Sequence, residues 1–236
     1  LNLELLKKES ERISKILQNN GYYYFDSNSL SYKADTANSD SVLLIFDIDS
    51  LNEKLNTKYF IDNINIYIDQ DSLKKIDTEE SINFFNLNNQ IKEKTINRTL
   101  RFNTGELYSL KKVQQTRNNL LNLKIFNSVN ISFTEKKNNK LDCNIFLKQQ
   151  KRLYYRIEAE GTNSSGNYGT SLNLMFGNKN TFKGAENFNF KFKGALETRK
   201  NLSTSESFFN IWEIGGEASL KVPRILFPIK LNNVKS

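Results

Sequence analysis

The side chains that most often carry catalysis are scarce here. Among 236 residues there is no His and a single Cys, Cys143. A Ser-His-Asp triad, a Cys-His pair and a zinc site therefore have no basis. Cys143 alternates with Leu141 and Ile145, a pattern that predicts a thiol packed in an apolar core and chemically inert. Asp and Glu are present, but nothing in their spacing places two carboxylates in one cleft for acid–base work. The expectation is a non-enzyme with no catalytic residue, no cofactor and no metal ligand.

The formal charge of +8 is spread out, with Lys and Arg interleaved among Asp and Glu. No block of like charges and no nucleic-acid recognition motif accompanies it, so nucleic acid is not expected as a partner. Hydrophobic residues make up 38% of the chain and the mean hydropathy is −0.59. Nothing approaches the run of about 18 apolar residues that a spanning helix needs. A transmembrane β-barrel escapes that test, because only every second residue faces lipid.

Residues 152–222 carry the barrel pattern in four runs. In the first, about 152–160, Leu153, Tyr155, Ile157 and Ala159 share one face while Tyr154, Arg156, Glu158 and Glu160 share the other. The second, about 168–178, puts Leu172, Leu174 and Phe176 opposite Asn173. The third, about 185–197, sets Phe188, Phe190 and Phe192 against Asn187, Asn189, Lys191 and Lys193. The fourth, about 208–222, sets Trp212, Ile214, Leu220 and Val222 against Glu213, Glu217 and Lys221. The apolar set is expected to face lipid and the charged set a wet lumen. An antiparallel sandwich with one solvated face gives the same alternation. Gly161–Gly166 reads as a flexible connector, and Gly177, Gly184, Gly194, Gly215 and Gly216 as points of bending or turn.

Upstream, Leu3, Leu6, Ile13, Ile16 and Leu17 predict a helix over 3–19, stopped at Asn20-Gly21. Tyr22–Tyr32 and Val42–Ile48 read as strands joined by the polar segment Lys33–Ser41. Lys58–Asp69 reads as a strand whose alternation Ile61 breaks; 70–87 as irregular; 88–101 as a short helix. Leu110, Val113, Leu120 and Leu121 mark a second helix, followed by strands Ile125–Phe133 and Leu141–Lys148 around the turn Glu135–Lys140. The order is β-α-α-β-β, preceded by the tail of a similar unit, which implies tandem modules.

Gly105-Glu106-Leu107-Tyr108-Ser109, followed by Val113, Thr116, Leu120, Leu123, Phe126, Val129, Ile131 and Phe133, resembles the polypeptide-transport-associated (POTRA) repeat. Asn178-Lys179-Asn180-Thr181-Phe182-Lys183-Gly184-Ala185-Glu186 is similar to the first periplasmic turn of Omp85-superfamily barrels. Pro223-Arg224, with Phe227-Pro228 behind, is similar to the turn after their fourth strand. The Gly-Ala-Glu and Gly-Glu-Leu-Tyr-Ser phrases resemble the TamA/TamL branch most, with BamA close.

The resemblance implies an α+β fold followed by the first antiparallel strands of a transmembrane β-barrel, the chain being a fragment. Residues 1–50 would end one POTRA domain, 58–149 form a complete one, and 152–236 open the barrel. It implies a bacterial outer-membrane protein with periplasmic POTRA domains that helps insert unfolded β-barrel clients, working with lipid and with accessory periplasmic, lipoprotein or inner-membrane subunits. Leu153, Tyr154, Tyr155, Arg156, Ile157, Glu158, Ala159 and Glu160 would form the lateral-gate strand. Ile125, Phe126, Asn127, Ser128, Val129, Asn130, Ile131, Ser132 and Phe133 would offer a second edge for β-augmentation. A secretion pore of the two-partner type and a soluble periplasmic β-sandwich scaffold are the competing readings.

Overall fold

The computed structural model describes residues 3–38, 41–48, 52–69, 82–85, 91–164, 167–198 and 211–223. They fall into two compact units. One comprises residues 1–87, 96–122 and 128–148; the other 88–95, 123–127 and 149–236.

The first unit begins with α1 (Leu3–Asn19), whose Ile13 and Leu17 pack on a cluster of Phe25, Leu30 and Leu55. The helix stops at Gly21, φ +100°, where the Tyr22 amide donates to the Leu17 carbonyl at 3.2 Å. The strand expected at Tyr22–Tyr32 begins only at Leu30. The Asp26 carboxylate accepts the amides of Asn28 (3.0 Å) and Ser29 (2.9 Å), closing a capping box on a short 3-10 turn, Ser27–Ser29. This local side-chain bonding competes with the ladder and delays it. β1 (Leu30–Asn38) and β2 (Ser41–Ile48) then pair antiparallel, so most of the expected connector Lys33–Ser41 is strand. Its polar composition hid the pairing, which is a matter of backbone.

The next module contains β3 (Phe60–Ile68), β4 (Ile82–Phe85), α2 (Glu93–Asn97), α3 (Leu110–Asn122), β5 (Phe126–Lys136) and β6 (Lys140–Gln149). The sheet order is β4-β3-β6-β5, with β3 parallel to both neighbours. Ile61 broke the alternation because the β3–β6 register slips between Ile61 and Ile64; this bulge lets both residues be buried. Ile64, Ile66, Leu141, Cys143 and Ile145 are all fully buried, with Leu120 of α3. Burial pushes the Cys143 thiol well above its usual range, which keeps it protonated and inert.

β4 lies inside the stretch 70–87 that reads as irregular. Ile82, Asn83, Phe84 and Phe85 show no alternation of apolar character. The strand is fixed by its neighbours: Asn83 donates to Asn65 at 3.0 Å, and Phe85 stacks on Tyr67 at 4.6 Å. Residues 70–81 and 86–90 lie outside the described residues. Of the helix expected over 88–101, residues 93–97 form α2, while 91–92 and 98–101 are not helical. On α3 Thr116 and Leu120 turn inward while Leu121 stays exposed, and the Thr116 hydroxyl accepts the Arg101 amide at 2.9 Å. The turn expected at Glu135–Lys140 shortens to 137–139, where Asn138 and Asn139 adopt φ +62° and +57°.

The second unit holds β7 (Leu153–Ser164), β8 (Asn167–Lys179), β9 (Asn187–Glu197) and β10 (Ile211–Lys221). They form an antiparallel sheet in the order β10-β9-β8-β7. Gly161–Ser164, expected to be flexible, continue β7 and pair with Asn167–Thr170 of β8. Ser165, Gly166, residues 208–210, Arg224 and Phe227-Pro228 lie outside the described residues. Val222 falls one residue beyond the end of β10.

A candidate membrane-facing wall and its strand edges

Cross-strand register decides which side chains share a face. Tyr155 pairs with Phe176 and Ile157 with Leu174; Phe176 pairs with Phe190 and Leu174 with Phe192; Phe188 pairs with Leu220, Ile214 with Gly194 and Trp212 with Leu196. The apolar sets of four separate runs thus merge into one continuous wall. Exposure is 83% at Tyr155, 72% at Trp212, 44% at Phe190 and 38% at Leu174, so no described residue covers it.

Strands about 4.8 Å apart, with 11 residues each at about 3.3 Å per residue, make a four-strand face of roughly 700 Å². The largest apolar patch on an ordinary soluble monomer is about 300–600 Å². Strands of 11 to 13 residues also meet the roughly 9–11 that a tilted strand needs to cross hydrocarbon.

The opposite face is mostly polar, with Met175, Ala195 and Ile211 interspersed among Arg156, Glu158, Lys191, Lys193, Glu213 and Glu217. Lys193 lies 3.3 Å from Glu213, and Lys191 lies 3.8 Å from Glu217 across β9 and β10; Arg156 is 3.5 Å from Glu158 on β7. Such exposed pairs add little stability but keep the wall wettable. Tyr154 lies flat over Gly177 on this face. A Cβ at Gly177 would sit 2.2 Å from the Tyr154 Cζ, so this glycine, expected to permit bending, is the seat of a ring. The Tyr154 hydroxyl donates to the Asn189 carboxamide oxygen, and the Lys179 ammonium stands 5.3 Å from the ring centre.

The turn Asn180–Glu186 between β8 and β9 is internally bonded. The buried Glu186 carboxylate accepts the amides of Gly184 (2.9 Å) and Phe182 (3.3 Å), and the Asn180 side-chain oxygen accepts the Ala185 amide at 3.0 Å. These bonds sustain positive φ at Asn180, Lys183 and Ala185. Arg152 donates to the Asn180 carbonyl at 3.1 Å, and the Lys92 amide to the Lys183 carbonyl at 2.9 Å. Of the other expected turn residues, Pro223 sits in a bend after β10.

Two of the expected edges occupy edge positions. β7, carrying Leu153–Glu160, is the outer strand of its sheet, and β5 is an outer strand of its own. Ile125 precedes β5, and its carbonyl accepts the Gln150 amide at 3.0 Å. Phe126 and Val129 are buried and Ile131 and Phe133 half-buried, so those side chains pack while the strand's outer backbone borders the sheet.

Sequence reading missed a polar hub at the end of β5. The Glu135 carboxylate accepts from Lys54 Nζ (2.7 Å), Tyr24 (2.7 Å) and Tyr59 (2.9 Å). These hydrogen bonds, that of Lys54 first, hold its carboxyl down at about 2. Burial, then the bond to Glu135, pushes the Tyr59 phenol up to about 12. Beside it Tyr23 meets the rings of Tyr108 at 5.0 Å and Phe133 at 5.6 Å. The Tyr59 amide donates to the Gly21 carbonyl at 2.8 Å, and a Cβ at Gly21 would strike Leu107 at 2.8 Å. The Asn19 side-chain oxygen accepts the Lys111 amide at 2.7 Å. The aromatic phrase Tyr22-Tyr23-Tyr24 was the available signal; its partners, from Lys54 (30 residues on from Tyr24) to Glu135 (111 residues on), were not visible.

The architecture is thus a β-α-α-β-β module with one added strand, and an amphipathic antiparallel sheet whose apolar face stands open. Residues 78–150 match the POTRA family, described as a surface antigen variable number repeat. Among solved structures the chain is similar to BamA from Haemophilus ducreyi lacking POTRA domains 1–3, with 15% identity and a TM-score of 0.47 over 93% of this chain and 41% of that one. It is also similar to CdiB from Acinetobacter baumannii, with 13% identity and a TM-score of 0.42 over 71% of this chain and 26% of that one. The N-terminal domain of Omp85 from the thermophilic cyanobacterium Thermosynechococcus elongatus is similar at 16% identity and a TM-score of 0.33, over 64% and 55%. This chain spans less than half of the BamA structure and of the CdiB structure. No curated protein matches. The fold is a mixed α/β POTRA-like sheet followed by antiparallel strands like the start of a barrel.

Proposed function

We propose that this chain is part of an outer-membrane assembly protein of the Omp85 superfamily, of the TamA/TamL type, with its POTRA modules in the periplasm. The observation that carries the proposal is the single apolar wall across β7–β10, open to its surroundings, in a chain that also holds a POTRA match. Hydrocarbon is the solvent that such a wall fits, because every backbone group of a closed barrel is satisfied by neighbouring strands.

Within that reading β7 is the gate strand. Its outer N–H and C=O groups template an incoming client strand, and low selectivity follows from main-chain bonding. The outer backbone of β5 guides clients in the same way before they reach the membrane. Clients are unfolded outer-membrane β-proteins, and accessory subunits dock on the POTRA modules. The residues' work is binding and templating, and no bond is made or broken.

Cysteine scanning tests the gate. Single cysteines at Leu153 through Glu160, in a background whose own Cys143 is buried, are expected to give disulfide adducts with client strands carrying a cysteine at their terminal strand. Adducts should fall off sharply for cysteines placed on β9. Uniform failure along β7, with clients still inserted, removes the gate assignment. Adducts with one dedicated secreted partner and none with barrel clients would favour a secretion pore.

A further inference from the structure

At one end of the β7–β10 sheet the chain gathers basic side chains that neither the wall nor the gate uses. Hydrogen bonds and strand register bring them to the same end. The Lys92 amide bonds to the turn at Lys183, the Lys179 amide bonds to the Arg152 carbonyl, and Gln150 donates to the Lys124 carbonyl at 2.5 Å. Lys221 pairs in register with Asn187, the first residue after the turn. Lys92, Lys124, Lys151, Arg152, Lys183 and Lys221 are all exposed here. Of the two carboxylates among residues 91–95 and 178–187, Glu186 is turned inward onto the turn amides; only Glu93 is exposed. The collar begins where the apolar wall ends, at the level of Phe188 and Leu220. At the tip of the turn Phe182 is 58% exposed, next to Lys183.

An apolar wall rimmed by cations that outnumber the exposed carboxylates among the described residues, with an aromatic at the rim, is the arrangement expected where protein passes from hydrocarbon into an anionic headgroup layer. We propose that this collar is a binding surface for anionic phospholipid headgroups of the membrane leaflet bordering the turn, with Phe182 at the boundary between headgroups and acyl chains. Lys179 and Arg152 have assigned partners inside the protein and serve mainly to hold the turn. Lys92, Lys124, Lys151 and Lys183 are the headgroup contacts, and Lys221 supplies background potential. The proposal rests on the membrane reading of the wall and adds the lipid class, the leaflet and the residues.

The test reconstitutes the full-length protein in phosphatidylcholine vesicles, with and without about 30% phosphatidylglycerol. The motionally restricted fraction of spin-labelled phosphatidylglycerol is compared with that of spin-labelled phosphatidylcholine. Wild type is expected to prefer the anionic label by about threefold to fivefold, the order given by one basic side chain facing one headgroup. The preference should collapse towards unity in 0.5 M salt, a concentration at which surface charge is largely screened. It should collapse equally in the quadruple variant K92Q/K124Q/K151Q/K183Q, while the charge-preserving variant K92R/K124R/K151R/K183R retains it. Each variant's insertion is checked by protease protection.

A wild type that inserts yet shows no preference overturns the collar and leaves the wall intact. Preference that survives the quadruple Gln substitution also overturns it, and would leave these lysines to an acidic protein segment. Full competition by soluble glycerophosphoglycerol would make this a site for free phosphates, against the proposal. Failure to insert in any vesicle would instead strike the membrane reading itself.

Discussion

Lysine at Ile157 and Phe190 together should all but abolish stable membrane insertion. Both positions lie mid-strand on the apolar wall. A Lys facing lipid near the bilayer midplane costs about 2–4 kcal/mol, so two such substitutions should lower the inserted-to-uninserted ratio on the order of a thousandfold or more. The matched control is Ser171→Lys, one strand over on the polar wall, where its register partner is Glu160. That change should shift the ratio by less than about threefold, because a lumen-facing charge stays hydrated. Urea titration of the protein in phosphatidylcholine vesicles, read by protease protection, gives the ratio directly. Equal tolerance at Ile157, Phe190 and Ser171 would mean that neither wall borders lipid.

Replacing Tyr23 by Ala should loosen the joint between residues 3–57 and the module that follows. Tyr23 is half-buried and meets four rings, those of Tyr24, Tyr59, Tyr108 and Phe133. Its removal is expected to cost about 2–3 kcal/mol, somewhat below the loss for a fully buried aromatic. Double electron–electron resonance between labels on α1 and α3 should change from one narrow distance distribution to a broad one. An unchanged distribution would show that the backbone contact of Gly21 with Tyr59 and the bond from the Lys111 amide to Asn19 hold the joint without the rings.

The same joint has a pH signature through Glu135. Its carboxyl is held at about 2, below the ordinary value of 4.5, chiefly by the Lys54 bond and then by Tyr24 and Tyr59. A depressed carboxyl stabilises the fold above its unfolded pKa, and that contribution is lost as pH falls through the folded value. The joint should therefore weaken between about pH 4.5 and pH 2 in wild type. In the Glu135→Gln variant this acid limb should be missing and the joint already weaker at neutral pH. An identical acid limb in both proteins would assign it to other carboxylates, such as Asp62 between Lys140 and Lys136.

What was legible in the sequence was whatever repeats locally. The period of two in β7–β10 survived intact, so Leu172, Leu174, Phe176, Phe188, Phe190, Phe192, Trp212, Ile214 and Leu220 occupy one face as expected. Val222 lies one residue past the end of β10, outside the paired register. α1 was legible from its apolar stripe and its terminal Gly21. β4 was not, because its four residues bury the polar Asn83 along with Phe85 and leave Ile82 and Phe84 half-buried, so burial alternates but apolar character does not. β1 was displaced because one carboxylate, Asp26, redirected three residues of backbone into a capped turn. Gly177 read as a bend when its role depends on Tyr154, a residue on the neighbouring strand. The Glu135 hub escaped for the same reason: Lys54, Tyr24 and Tyr59 reach it only after folding, and no spacing records that.

A nitroxide scan along β9, from Asn187 to Ala195, reads the environment of both walls in the membrane-reconstituted protein. Collision with oxygen, which concentrates in hydrocarbon, should peak at positions 188, 190 and 192. Collision with a water-soluble nickel chelate should peak at 189, 191 and 193. Should the even positions be shielded from both reagents, as inside a second layer of side chains, β7–β10 would belong to a packed protein core and the assembly role would lose its footing.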